Sequence, residues 1–221
     1  MTLTADLPSP LYPPQLAAWH QCFRAPVRWR LTVAGVDVQP QLAAPTADMT
    51  CLLNAIWVRY GGSIARAAQR HRVPAELIAA CIATESSGRP DSVRLEPGYV
   101  ADHRTPHRVS VGLMQTLIST AREALPGVPV DRQWLLDAAN SIDAGTAYMA
   151  RQYGLTGYDP PLVAAAYNAG SLQREATAGN PWRLLCYPRR TGTHVSRFVR
   201  HYNAALTTRP QGGPTAPRPE R

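Results

Sequence analysis

The sequence predicts a mainly α-helical fold, and three observations carry that prediction. From about residue 48 to 206, apolar residues recur at three- and four-residue intervals in successive blocks. The breaks between blocks fall at Gly and Pro, and acidic residues precede several of the apolar runs. Alternating, strand-like patterning is confined to a short stretch near the N-terminus.

Residues 1–47 form a Pro-rich N-terminal extension. Residues 1–14 are expected to be irregular. "VRWRLTV" (27–33) alternates apolar and basic residues as a half-buried strand does; Gly35 breaks it and "VDV" supplies a return strand, giving a β-hairpin. The hairpin either packs on the main domain or serves as an adaptor for a partner, and the sequence supports both.

The helical domain is placed at residues 48–206. "DMTCLLNAIWVRY" starts a helix at Asp48, Gly61–Gly62 is expected to end it, and "SIARAAQRHR" follows as a second short helix. Pro74 opens the next helix at its first position, where a missing N–H costs nothing. "AELIAACIATESS" is strongly helical and is closed by Gly88 and Pro90. Residues 88–112 are polar, hold Pro and Gly, and are too long for an idle connection; they are expected to form a flap. Helical patterning returns in "QTLISTAREAL" and "SIDAGTAYMARQYG". "DPPLVAAAYNAGS" begins with an acidic cap and Pro in its first turn, and ends at Gly170. In "THVSRFVRHYNAAL" the residues Val195, Phe198, Val199, Tyr202 and Leu206 form one apolar stripe. The Pro/Gly-rich residues 207–221 are expected to be a disordered tail.

Composition narrows the function. The net charge of +8 favours an anionic partner, but the basic residues are scattered rather than gathered into an arm, which argues against nucleic acid. Cys22, Cys51, Cys81 and Cys186 are far apart, with neither CxxC pairs nor finger-like His spacing, so neither a zinc site nor a disulfide scaffold is expected. "MTLTADLPSPLYPPQL" lacks the charged and apolar regions of a secretory signal, and no apolar run is long enough for a membrane span.

One residue stands out. Ile78, Cys81, Ile82 and Glu85 are spaced to share one helix face, so Glu85 ends an apolar stripe. A carboxyl held among apolar neighbours has a raised pKa and can store and deliver a proton. From this helix alone the alternative is that Glu85 turns outward at the helix end or pairs with Arg89.

Three further stretches bear on that choice. "ESS" begins at Glu85, "GLMQ" spans Gly112 to Gln115, and "AAYNAG" spans Ala165 to Gly170, with Asn140, Ile142 and Gly145 before the last. In this order they resemble the soluble lytic transglycosylase-type domain, related to goose-type lysozyme, over about residues 50–206. The resemblance implies a lysozyme-like helical domain with a polar flap after the catalytic helix. It implies that Glu85 is the catalytic acid/base and that Ser86, Met114, Gln115, Tyr167 and Asn168 line the sugar site, with the Tyr167 hydroxyl orienting Glu85. Relatives carry an acid in a Glu-Thr-x-x-Tyr-Val pattern at the start of the last helix; here "HVSRFV" puts His194 in its place.

The implied reaction is cleavage of the β-1,4 bond between N-acetylmuramic acid and N-acetylglucosamine in peptidoglycan, leaving a 1,6-anhydro sugar. No metal or organic cofactor is implied. The alternatives are a goose-type hydrolytic muramidase, with Glu96 or Asp102 as a second acid, and an inactive wall-binding or assembly module. The expected partner is the glycan strand, in the periplasm or cell wall. Residues 1–47 are a candidate docking piece for a secretion, injection or phage assembly.

Overall fold

A computed structural model describes residues 7–210. After a 3-10 turn at Pro14–Ala17, strands β1 (Arg28–Thr32) and β2 (Gly35–Gln39) pair antiparallel, from Arg28 opposite Gln39 to Thr32 opposite Gly35. The alternation sorts the two faces: Trp29 and Leu31 are buried, as are Val36 and Val38. These side chains join the same core as the helices that follow. Polar contacts fasten the hairpin as well. Asn203 accepts from the Val36 N–H at 2.8 Å and donates to the Val36 carbonyl at 3.2 Å. Gly35 permits that approach, since a Cβ there would lie 2.3 Å from the Asn203 amide oxygen.

Helix α1 runs unbroken over Ala47–His71, capped by the Thr46 side chain and ended at Arg72 in the left-handed conformation. The expected break at Gly61–Gly62 does not occur. Two glycines cost about 1 kcal/mol each against Ala. The stripe Leu53, Ile56, Trp57, Tyr60, Ile64 and Ala67 continues across them in register and is buried, and each large side chain so placed contributes roughly 1.5–3 kcal/mol. Packing outweighs propensity.

Helix α2 (Ala75–Ser86) is the core's central rod, buried almost all round rather than on one stripe. Pro74 is its N-cap rather than its first residue, so the helix starts one residue later than expected. Buried Glu76 in its first turn is ion-paired with Arg209. The helix closes with Ser87 and Gly88 at positive φ, and the Tyr60 hydroxyl donates to the Gly88 carbonyl at 3.1 Å.

The polar insert folds as a three-stranded antiparallel sheet, β3 (Val93–Leu95), β4 (Val109–Val111) and β5 (Thr116–Leu117), with β4 central. A second, smaller core of Val109, Val111, Ile118, Ala121, Val130, Leu135 and Ala144 supports it. Helices α3 (Ile118–Ala124), α4 (Arg132–Leu136), α5 (Ala138–Arg151), the short α6 (Tyr153–Thr156), α7 (Pro160–Ala169) and α8 (Thr193–Thr208) complete the described chain. Helix α8 packs against α1, α2 and α7. Of the expected disordered tail, Thr207 and Thr208 are helical and Arg209 holds Glu76; residues 211–221 lie outside the described residues.

Asp159 does not cap α7 with its side chain as expected. It is fully buried, and both its oxygens accept from the Trp29 indole N–H at 2.9–3.0 Å, one of them also from His20 Nε2 at 2.9 Å. The acid that looked like a helix cap is the anchor of the N-terminal segment.

Candidate active site

Glu85 occupies the last turn of α2, its side chain 9% exposed. Burial pushes its pKa up to about 7; the positive charges of Arg94 on β3 and Arg197 on α8 pull it down without cancelling that effect. Its carboxyl has no hydrogen-bond donor among the described residues. A polar companion is His194, in the first turn of α8, with Nε2 at 3.6 Å from Oε1. His194 is itself buried, and burial, then the charges of Arg197 and Arg94, lower its pKa to about 4. The pair is therefore not an ion pair near neutral pH: the ring is neutral, and the proton that can be shared belongs to the carboxyl.

Around this acid the loop "GLMQ" is tightly fixed. Met114 is fully buried, and its backbone N–H donates to the Ser141 hydroxyl at 3.2 Å. The Tyr167 hydroxyl donates to the Met114 carbonyl at 2.9 Å and is 3.0 Å from the Thr116 hydroxyl. Gly145 on α5 leaves room for this junction, because a Cβ would come within 2.7 Å of both Met114 and Tyr167. Tyr167 is a neighbour of Glu85, whose charge, after burial and Cys81, helps raise the phenol's pKa. Its hydroxyl is nevertheless engaged by the loop, so Tyr167 does not hydrogen-bond the acid as the resemblance implied.

The other implied sugar contacts divide. Ser86 is buried and its hydroxyl donates back to the Ile82 carbonyl at 3.2 Å, so it faces the helix rather than a cleft. Met114 likewise packs in the core. Gln115 is partly exposed at positive φ; its amide N–H₂ donates to the Ser92 and Gly112 carbonyls, both at 3.0 Å, tying the flap's base to the loop. That leaves its carbonyl oxygen for a ligand. Asn168 uses its side-chain oxygen to accept from the Tyr187 N–H, which leaves its amide N–H₂.

Both candidate second acids are committed elsewhere. Glu96 pairs with Arg94 at 2.7 Å. Asp102 accepts two bonds from Arg132, at 2.7 and 2.9 Å, and one from the Tyr99 hydroxyl at 2.8 Å; the Arg132 hydrogen bonds hold its pKa below the usual carboxylate range.

Sequence comparison places this arrangement. The sequence model of the transglycosylase SLT domain matches residues 62–182, more than half of the chain. The chain belongs to the SLT family.

The matched span holds Glu85, "GLMQ" and "AAYNAG"; the hairpin and α8 lie outside it. Similar curated proteins are membrane-bound lytic murein transglycosylase C of Klebsiella pneumoniae, 33% identical over 126 residues that are 51% of this chain and 31% of that protein, and its counterpart from Salmonella typhimurium, 32% identical over the same shares. The chain thus spans about a third of the length of these relatives. Among solved structures, an inactive mutant of the lytic transglycosylase Slt of Pseudomonas aeruginosa aligns at a TM-score of 0.43 with 20% identity, over 69% of this chain and 24% of that one. The 70 kDa soluble lytic transglycosylase of Escherichia coli aligns at 0.42 with 22%, over 67% and 23%.

Sequence reasoning on this SLT domain missed two residues, Arg94 and Arg197, that set the field at Glu85. Arg197 had a signal: it lies three residues after His194 and so shares its helix face. Arg94 had none, because the pairing that brings β3 to the site is made by β4, across 13 intervening residues.

Proposed function

We propose that the protein is a peptidoglycan lytic transglycosylase with Glu85 as its single acid/base. The observation that carries this reading is a buried carboxyl, poised near neutrality, with arginines rather than a second carboxylate acting on it. Protonated Glu85 gives its proton to the glycosidic oxygen between N-acetylmuramic acid and N-acetylglucosamine. The C1–O bond breaks and the N-acetylglucosamine hydroxyl leaves. The acetamido group of the muramic acid stabilises the cationic C1. Its C6 hydroxyl then bonds to C1, returning a proton to Glu85. The product is a 1,6-anhydro sugar, and no water enters.

Gln115 and Asn168 are the sugar contacts of this reading, through their unengaged carbonyl oxygen and amide N–H₂, and the catalytic unit spans residues 48–206. A hydrolase would need a carboxylate to position water. Glu96 and Asp102 are spoken for by Arg94 and Arg132, which supports the anhydro route. The place of action is then the periplasm or cell wall. Docking to an export or assembly machine, if residues 1–47 serve it, falls to the cleft of about 500 Å³ where Trp19, Gln39 and Leu42 face Arg200 and Asn203.

Muropeptide mass analysis tests the reading. Wild type incubated with purified peptidoglycan is expected to release anhydro-muropeptides, and Glu85→Gln none. Products one water heavier would make the protein a muramidase; inactivity of wild type would favour a wall-binding or assembly module.

A further inference from the structure

Helix α8 lies outside the region matched to the family, yet it delivers a buried ring to the acid. His194 Nε2 is buried with no hydrogen-bond partner among the described residues. A buried polar atom left so is costly, and it is rare where no function requires it. Its geometry gives it one polar neighbour in reach, Glu85 Oε1 at 3.6 Å, slightly beyond hydrogen-bond length.

The ring's surroundings determine which way this contact can run. The Ala164 carbonyl on α7 lies beside the ring and raises its pKa in part. With the ring neutral and its proton on Nδ1, Nε2, which has no partner among the described residues, presents a bare lone pair. Two arginines and one histidine act on the pair. Arg94 reaches it from β3, Arg197 from α8, and His201 from the next turns of α8, where its Nδ1 is 2.9 Å from the Thr84 hydroxyl. The two arginines and burial keep His194 neutral, and His201 is held neutral by burial and by Arg197 and Arg200. At its bare nitrogen a neutral imidazole can only accept.

We propose that His194 is a positioning residue that holds the catalytic proton on Glu85: Nε2 accepts a hydrogen bond from the protonated carboxyl, fixing its rotamer between turnovers. The O–H bond stays on Glu85, because the ring is too weak a base in this setting to take the proton. When a glycan strand enters, the glycosidic oxygen replaces Nε2 as acceptor. When the C6 hydroxyl returns a proton, the contact re-forms. A carboxylate at this position would oppose an ionised Glu85 by repulsion; the neutral ring favours the acid form by a hydrogen bond instead. This inference rests on Glu85 being the acid of the proposed reaction, but its central claim concerns the Glu85–His194 pair alone.

Three measurements test it. In wild type between about pH 4 and about 7, where His194 is neutral and Glu85 protonated, imidazole ¹⁵N shifts should report Nδ1–H and an unprotonated Nε2. The other tautomer, or a charged ring, overturns the proposal. His194→Phe keeps a buried ring and removes the acceptor. The Glu85 carboxyl, followed by ¹³C NMR, should then titrate about one pH unit lower, a tenfold change in its ionisation. The alkaline limb of the pH–rate profile should move with it, with kcat down about five-fold at pH 7, approaching tenfold on the alkaline side, and KM unchanged. A titration that stays in place or moves up overturns the proposal. Should wild type release no anhydro product, the transglycosylase reading fails while the two NMR measurements still decide the role of His194; should His194→Phe not fold, the wild-type ¹⁵N measurement decides it.

Discussion

Among the described residues two carboxylates are buried beside histidines, and their surroundings are opposite. Asp159 has its pKa raised by burial, but its oxygens accept from the Trp29 indole and from His20, which also lower it again in part. Glu85 is buried to a similar degree and meets arginine charge without a donor within bonding distance. At Asp159 the histidine gives a hydrogen bond; at Glu85 the histidine's Nε2 has no partner among the described residues. Burial alone therefore does not decide what a carboxyl does. What separates the two is where the donors are: a satisfied carboxyl ties elements together, and an unsatisfied one keeps its proton available.

The sharpest way to break that contrast is Glu85→Gln. Activity on peptidoglycan should fall by about 10²–10⁴-fold or vanish, measured by released muropeptides, while the melting temperature holds or rises. Asp159→Ala should do the reverse. Removing one member of a buried, hydrogen-bonded pair costs about 3 kcal/mol, read by urea unfolding, with activity per folded molecule unchanged. Loss of activity without loss of stability at Asp159 would erase the distinction.

The pH dependence sharpens it further. Glu85 binds its proton more tightly folded than unfolded, so stability falls as pH rises from the unfolded value of 4.5 to about 7. Glu85→Gln lacks that fall, and above pH 7 it should be more stable than wild type by on the order of 3 kcal/mol. Parallel stability curves for the two proteins would show that Glu85 is not destabilised by burial. His20 gives a gentler, related signal. Burial lowers its pKa but the hydrogen bond and charge of Asp159 raise it more. Its contribution is complete below the unfolded value of 6.5 and is lost as pH rises through the folded one. His20→Ala should cost about 1 kcal/mol or less and flatten that decline. Smallest of all, Glu96→Gln and Asp102→Asn should each change the rate by only a few-fold and leave the anhydro product dominant.

Much of this was legible in the chain. Helices α2, α7 and α8 followed from apolar periodicity with Gly and Pro at their ends, and the candidacy of Glu85 from the order of "ESS", "GLMQ" and "AAYNAG", since its helix alone left an outward-turned glutamate open. What stayed hidden was decided across the fold. Gly61 and Gly62 read locally as a break, but a continuous buried stripe overrides them. Asp159 stands where an N-cap stands, and only the arrival of Trp29 and His20, more than 120 positions earlier in the chain, gives it another use. The amide of Gln115 has the chemistry of a sugar contact, yet half of it is taken by Ser92 and Gly112. The short α4 offered too few residues for a period to register.

Helix α8 also sets an order of events. It brings Arg209 to Glu76 at the start of α2 across 133 positions of sequence, and His194 to Glu85 at that helix's end. At ribosomal rates of about 5–20 residues per second, α2 precedes these companions by on the order of ten seconds. During that interval Glu76 has no counter-charge, and the wall of the site that faces Glu85 does not exist. A nascent chain therefore carries its acid without a finished site. On the proposed function, the acid gains its finished site only as α8 docks, as the step that completes the core around α2.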